Sequence, residues 1–351
     1  MLPVYRPQRN WGARVHDGHL KGLYTIVMEN ELLRISILAG KGTDIVEINY
    51  KPQDLDFTWL TPGGVRNPTS YLSSSPDALA PFLDHYPGGW QEIFPNGGVP
   101  SRGNGANYGQ HAEVFALPWD VEMVEDDPSA VAVRFTVRAQ KTAARIEKTI
   151  RLASGEASFR ISERLVNESD VPIHAMWGHH ITYGAPFMKP GCRLTVPDGL
   201  ELLVHPMAGE RRIDPSAAPA WPVMTGADGE PVDLSVIPER NTASEMLYLT
   251  GFAGDEAWYR IEDEERGLGA RVSWDAKQMP YLWYWQEFGA GKEYPWYGGA
   301  YVVGLEPFTS LPTNGLPEAI ENHTAMTLAG GETREFWLEY EVTDQARSER
   351  S

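Results

Sequence analysis

The sequence is poor in cysteine, in positive charge and in long apolar runs. Cys192 is the one cysteine among 351 residues, so the chain cannot form an internal disulfide or a multi-cysteine zinc site. No run approaches the ~18 apolar residues of a membrane-spanning helix, and the N-terminal residues lack the apolar core of a signal peptide. These absences predict a soluble, cytoplasmic protein.

The charge balance argues against nucleic acid as a partner. The formal net charge is -18 and the pI is near 4.9, which would repel phosphate backbones, and no Lys/Arg cluster opposes that field. Hydrophobic residues make up 42% of the chain, with 12 Trp, 15 Tyr and 11 Phe. We therefore expect a large core with aromatic side chains left over for binding a small molecule, and no contact with nucleic acid or membrane.

Alternation of apolar and polar residues predicts strands through most of the chain. The clearest run is a meander of residues 131–138, 144–152 and 159–167, whose short turns imply an antiparallel sheet. No long segment has a helical period, so we predict an all-β protein, a large antiparallel β-sandwich. The other predicted strands are residues 32–38, 45–50, 194–196, 202–204, 246–251, 257–262, 268–274, 281–286, 301–305, 325–327 and 333–342.

Two irregular segments interrupt this pattern. Residues 52–100 are rich in Pro, Gly, Ser and Asn, which predicts a long loop with a functional role. Residues 206–241 are rich in Pro, Ala, Gly and Asp, which predicts an excursion over the surface. Because strands of the same character continue afterwards, we expect a single domain over residues 1–351.

Several familiar catalytic motifs are missing, including GxSxG, HExxH, the Walker loop and the EF-hand. The remaining candidates are His111, the His179-His180 pair and Glu306, each at the border of a predicted strand and a Gly or Pro turn. If the paired histidines are in a strand, they point to opposite faces and only one can enter a given site. A carboxylate and two imidazoles suit proton transfer near neutral pH.

The order of these segments resembles the aldose 1-epimerase (galactose mutarotase-like) superfamily over nearly the whole chain. The resemblance rests on Val166-Asn167-Glu168-Ser169-Asp170, Trp177-Gly178-His179-His180, the upstream His111 and Leu305-Glu306-Pro307. It implies a β-supersandwich whose site contains His111, His180 and Glu306, without a cofactor or a metal. The chain departs from the usual pattern at Ala112, where the family has Gly, and at His179, where it has Asn.

The resemblance also implies an activity, the interconversion of the α and β anomers of a sugar. Glu306 would remove the proton of the anomeric hydroxyl, His180 would protonate the ring oxygen, and His111 would hold the oxygen at C1. Aromatic and polar side chains near these segments are the candidates for binding the sugar. They are Trp90, Gln91, Glu92, Asn96, His179, Trp285, Gln286 and Glu287.

Two other functions are compatible with the same residues. One is a carbohydrate-binding or sugar-sensing protein without turnover, and the other is a sugar lyase or glycoside-processing enzyme. The two histidines with Glu92 or Glu287 could hold a divalent metal, which would favour the lyase. The sequence leaves open which sugar is bound and whether it is anionic; Arg66, Arg102 and Lys189 are the candidates for binding an acidic group.

Overall fold

The computed structural model describes residue 2 and residues 8–70, 77–207, 209–240 and 243–348. These residues form 25 strands, three short α-helices (Ala80–Leu83, Leu316–Glu321 and Gln345–Ser348) and three turns of 3-10 helix (Lys51–Gln53, Pro68–Ser70 and Val114–Ala116). The first strands are β1 Arg14–Leu20, β2 Leu23–Glu29, β3 Leu33–Leu38, β4 Asp44–Tyr50, β5 Leu55–Asp56, β6 Trp90–Ile93, β7 Ser101–Gly103, β8 Ala106–Tyr108, β9 Asp120–Asp127, β10 Ala130–Arg138, β11 Ala144–Ala153 and β12 Ser158–Asn167. The remaining strands are β13 Ile173–Ala175, β14 Gly178–Tyr183, β15 Arg193–Thr195, β16 Glu201–Val204, β17 Val223–Thr225, β18 Pro231–Asp233, β19 Ser244–Thr250, β20 Glu256–Asp263, β21 Leu268–Asp275, β22 Tyr281–Glu287, β23 Val302–Phe308, β24 Met326–Leu328 and β25 Thr333–Asp344.

Two large antiparallel sheets form the body of the molecule. The eleven-stranded sheet has the order β1-β2-β3-β4-β6-β14-β23-β22-β19-β16, with β5 paired to β4. The eight-stranded sheet has the order β15-β20-β21-β25-β12-β11-β10-β9. Neighbouring strands in both sheets run antiparallel, as in the meander β10-β11-β12. The predicted all-β antiparallel sandwich is therefore confirmed.

Period-two alternation decides which face of the eight-stranded sheet is buried. In β12 every second residue from Phe159 to Leu165 is buried, and the residues between them are more exposed. The same holds in β11 from Ile146 to Leu152. Burial of an apolar side chain contributes about 1.5–3 kcal/mol. Two positions in these buried series are nevertheless charged, Lys148 and Glu163, and they lie opposite each other in the β11-β12 register.

A network of buried polar groups joins the two sheets at this point. The Lys148 ammonium donates to Glu92 Oε2 on β6 at 2.7 Å. On β14, His179 Nε2 lies 3.0 Å from Glu163 Oε2. The Trp90 indole donates to His179 Nδ1 at 3.0 Å, so in the neutral ring the proton is on Nε2 and is donated to Glu163. Buried charges need partners, and here each partner comes from the opposite sheet.

The network contains two carboxylates but one ammonium. Burial and the neighbouring Glu92 carboxylate raise the pKa of Glu163 to about 7. Burial alone would also raise the pKa of Glu92, but Lys148 and His179 hold it below its usual value. The Glu92 carboxylate is thus the ionised partner of Lys148, and Glu163 keeps its proton in mildly acidic solution.

Three segments differ from the sequence-based expectation. Residues 52–100 are not a continuous loop, because Trp90–Ile93 is a strand between β4 and β14. All four of its residues are buried, and a strand buried on both faces shows no alternation. Strand β23 extends to Phe308, beyond the predicted end at residue 305, and pairs with β14 and β22, so Glu306 lies inside the sheet. Residues 206–241 include the short hairpin β17-β18.

None of the helices in the described part of the chain has the length and apolar character needed to cross a membrane.

The first prediction concerns the ion pair between the sheets. Lys148→Ala should lower the free energy of unfolding by about 3–5 kcal/mol, because it leaves the buried Glu92 carboxylate without its cation. Urea denaturation followed by tryptophan fluorescence measures this loss. The matched control is Arg151→Ala on the same strand, whose ion pair with Glu125 is exposed and should contribute about 1 kcal/mol or less. Equal losses in both variants would contradict a role for burial.

The second prediction concerns the pH dependence of stability. The folded chain holds the Glu163 proton up to about pH 7, whereas the unfolded carboxyl releases it near 4.5. The folded state therefore binds more protons in this window, and this group makes stability fall as pH rises from about 4.5 to 7. Between about pH 4.5 and 7, the free energy of unfolding should therefore fall more for the native chain than for Glu163→Gln. The control is Glu339→Gln, which changes an exposed carboxylate on β25, and its stability should depend on pH as that of the native chain does. If the stability of Glu163→Gln also has the pH dependence of the native chain, the raised pKa of Glu163 is refuted.

Candidate active site

Strand β14 lies between β6 and β23 in the eleven-stranded sheet and presents its two histidines to opposite sides. His179 faces the eight-stranded sheet, where it contacts Glu163. His180 faces away from that interface and lines a pocket. The alternation expected for this segment therefore assigns one imidazole to the core and one to the pocket.

The pocket lies on the face of the eleven-stranded sheet that points away from the eight-stranded sheet. Its volume is about 320 Å³, at the lower end of small-molecule sites. Its polar groups and its apolar walls come partly from strands and partly from loops. The lining residues are Phe82, Leu83, Tyr86, Gln110, His111, His180, His205, Met207, Met246, Trp283, Trp285, Pro295, Trp296, Glu306 and Thr313.

His180 and Glu306 form a buried pair in this pocket. His180 Nε2 lies 3.5 Å from Glu306 Oε1, because β14 and β23 are neighbours in the sheet. Burial raises the pKa of the Glu306 carboxyl well above its usual range and lowers the pKa of His180 to about 4. Both shifts favour the uncharged forms, a protonated carboxyl and a neutral imidazole. Glu306 Oε2 is buried and has no hydrogen-bond partner among the described residues.

Tyr86 orients the other side of the His180 ring. Its hydroxyl lies 3.4 Å from His180 Nδ1, and its own ring stacks on Phe82 with centroids 4.9 Å apart. Tyr86 is buried, and burial raises the pKa of its hydroxyl well above 10. The hydroxyl can donate to Nδ1 or accept from it, so it fits either tautomer of His180.

His111 supplies a hydrogen-bond donor to the same space. The backbone N–H of Gly98 donates to His111 Nδ1 at 3.1 Å, which leaves the proton of the neutral ring on Nε2. The His111 and His180 rings are 5.5 Å apart. Burial and the nearby His180 hold the pKa of His111 well below 6.5. His111 also has a left-handed backbone (φ 50°), a conformation that non-glycine residues adopt at a cost in energy.

Aromatic side chains form the walls around the pair. The Trp285 ring lies 5.8 Å from the His180 ring, and Trp296 lies 5.7 Å from Trp285. Trp296 also contacts Tyr86, with centroids 6.2 Å apart. Flat apolar faces beside hydrogen-bonding groups are the surfaces on which the C–H faces of a sugar can pack.

Of the residues predicted from the sequence, the structure brings together His111, His180, Glu306 and Trp285 at this pocket. Seven expected sugar-binding residues do not line it, and their polar groups are used elsewhere. Trp90, Glu92 and His179 belong to the network between the sheets. Gln91 and Asn96 donate to backbone carbonyls, Gln286 accepts from Arg212, and Glu287 accepts from the backbone N–H groups of Gly289 and Gly291.

Several pocket residues were not identified from the sequence. Tyr86 and Gln110 lie in irregular segments without a periodic signal. His205 and Met207 follow β16 at the start of the predicted excursion. Met246 could have been found, since it pairs with Trp285 in the β19-β22 register and so shares its face.

Glu92, Glu163 and His179 also have the composition of a metal site, with candidate ligand atoms within 4.8 Å of one another. Their hydrogen bonds do not fit that role. The Trp90 indole can only donate, so it fixes the proton of His179 on Nε2, where a metal would need a lone pair. The Lys148 ammonium already neutralises Glu92 at 2.7 Å. The cluster is therefore better described as a structural network.

Residues 21–342 match the family model described as a domain of unknown function, DUF4432. A search of curated proteins finds no match. Among solved structures, the chain is similar to a candidate aldose 1-epimerase from Klebsiella pneumoniae, with 16% identity, a TM-score of 0.73 and coverage of 96% of this chain and 88% of the other.

A galactose mutarotase-like protein from Clostridium acetobutylicum is 15% identical, with a TM-score of 0.62 and coverage of 95% and 99%. A candidate aldose 1-epimerase from Escherichia coli K12 is 13% identical, with a TM-score of 0.58 and coverage of 94% and 99%. Identities this low establish the fold alone. The chain thus has the galactose mutarotase-like fold that the resemblance implied, and it belongs to the DUF4432 family.

Proposed function

We propose that the pocket binds an aldose and interconverts its α and β anomers by acid–base catalysis at Glu306 and His180. The observation that supports this most directly is the buried pair itself. A carboxyl and an imidazole lie 3.5 Å apart in a pocket with aromatic walls, and one carboxyl oxygen has no partner among the described residues.

The proton count of the pair suits this reaction. Ring opening moves the proton of the anomeric hydroxyl to a base and moves a proton from an acid to the ring oxygen. The base gains one proton and the acid loses one, so the total number of protons on the pair does not change when the aldehyde forms. Rotation about the C1–C2 bond and the reverse transfers close the ring on the other face. Neither step consumes another reactant.

We assign the base to Glu306 and the acid to His180. In the free pocket, burial favours the proton on Glu306 and a neutral His180. A sugar hydroxyl that donates to Glu306 Oε2 would stabilise the carboxylate and so favour transfer of the proton to His180. Tyr86 can accept from Nδ1 of the imidazolium at 3.4 Å, and the Nε2–H of His111 can donate to the oxygen at C1.

The third prediction tests the base. Glu306→Gln keeps the size of the side chain and an acceptor oxygen but removes the basic carboxylate. Anomer exchange should fall by about 10²-fold or more, while sugar affinity changes little. Magnetisation-transfer NMR across a panel of aldoses measures exchange, and saturation-transfer NMR on the same samples measures binding.

Glu122→Gln serves as the control, because Glu122 is an exposed carboxylate on β9 in the other sheet, and the exchange rate should be that of the native chain. Full exchange by Glu306→Gln would rule out Glu306 as the base. Binding of an aldose without exchange by the native chain would instead favour a sugar-binding protein without turnover.

A further inference from the structure

A second cavity adjoins the pocket. It has a volume of about 640 Å³, and its lining includes Lys21, Arg66, Asp84 and Tyr294. Two short segments contribute residues to the linings of both cavities. Leu83 lines the pocket and the next residue, Asp84, lines the second cavity; Pro295 lines the pocket and the preceding Tyr294 lines the second cavity. The linings of the two cavities therefore meet at residues 83–84 and 294–295.

The loops around the second cavity pack on one another. The Arg66 guanidinium lies over Gly63, where a Cβ would come within 2.1 Å of Nη2, so a larger residue at position 63 would displace it. Arg66 Nη1 also donates to the backbone carbonyl of Asp84 at 3.1 Å. Across the cavity, the Tyr294 hydroxyl donates to the Asp84 carboxylate. The hydrogen bond to Asp84 therefore holds the Arg66 guanidinium in the lining of the second cavity, next to the segment that also contributes Leu83 to the pocket.

The second cavity has an excess of positive charge in a strongly acidic protein. Most lysines and arginines in the described chain lie within 4.0 Å of a carboxylate, as Arg14, Arg138 and Lys189 do. Lys21 and Arg66 have no such ion pair among the described residues. Asp84 brings one negative charge, so the three side chains leave a net charge of +1 where the whole chain has -18.

The catalytic pocket has the opposite character. None of the described residues that line it is a lysine or an arginine, and the one carboxyl among them belongs to Glu306. An anionic substituent inside this pocket would be buried without a cation, at a high cost in desolvation. In the neighbouring cavity the same substituent would meet Lys21 and Arg66, and a guanidinium binds phosphate or carboxylate through parallel hydrogen bonds.

We propose that the two cavities form one substrate site, in which the second cavity binds the anionic group, a phosphate or a carboxylate, of an aldose whose ring occupies the catalytic pocket. This inference rests on the proposed function for the ring. The sequence offers Arg66, Arg102 and Lys189 for binding an acidic group, and the proposal selects Arg66. Lys189 is instead paired with Asp263 at 3.2 Å, and Arg102 is exposed on β7, outside both cavities.

The fourth prediction tests the anion site without turnover. Inorganic phosphate and, separately, acetate are titrated into the full chain by isothermal calorimetry, which distinguishes the two anions. The double variant Lys21→Gln/Arg66→Gln should bind the preferred anion at least about tenfold more weakly, since each charged hydrogen bond is strong. Both side chains are exposed, so the fold should survive. The control Arg102→Gln removes one positive charge outside both cavities and should bind as the native chain does.

Absence of binding of either anion by the native chain, or an equal loss in Arg102→Gln, would overturn the anion site. A second measurement asks whether the site serves the substrate. The ratio of kcat/KM for anomer exchange of D-glucose 6-phosphate to that of D-glucose should fall at least about tenfold in the double variant. An unchanged ratio would overturn the link to the substrate. If the native chain exchanges no aldose, the proposed function fails, and the titration still decides whether the cavity binds anions.

Discussion

The structure depends on the alternation of side chains along one strand. Strand β14 directs His179 into the buried interface between the sheets and His180 into the pocket. A shift of one residue would exchange the two imidazoles, and Glu163 on the opposite sheet holds the register by its hydrogen bond to His179. The neighbouring strands follow the same division, since β6 gives Glu92 to the interface and β23 gives Glu306 to the pocket. The contacts that align the sheets therefore also place His180 beside Glu306.

Burial has different consequences on the two sides of this strand. It raises the pKa of both Glu163 and Glu306. Glu163 Oε2 accepts from His179 in the interface between the sheets, whereas Glu306 lines the pocket beside His180. Each carboxyl has one buried oxygen without a hydrogen-bond partner in the described chain, Oε1 of Glu163 and Oε2 of Glu306. An unsatisfied buried acceptor costs stability, and a hydroxyl-bearing ligand would recover that cost.

The sequence predicted the features that depend on local pattern. Alternation located β10 to β12 and the opposed histidines, and the resemblance grouped His111, His180 and Glu306, which the fold brings together. What it could not predict depends on which strands become neighbours. Trp90–Ile93 has no period because both of its faces are buried. Glu92 and His179 were predicted to bind the sugar because they are close along the chain to other candidate residues. Their side chains instead face the eight-stranded sheet. The partners Lys148 and Glu163 look like ordinary polar strand residues until the second sheet is in place.

The His180–Glu306 pair and the pocket walls belong to different kinds of structure. His180 and Glu306 lie on strands paired on both sides, whereas Tyr86, Pro295 and Trp296 lie in the connections between strands. Substitutions or insertions in a connection are tolerated more readily than changes in a central strand. Changes in the segment between β22 and β23 can therefore alter the shape of the pocket while His180 and Glu306 keep their positions on the strands. Diversification within this family should accordingly be concentrated in the length and composition of that segment.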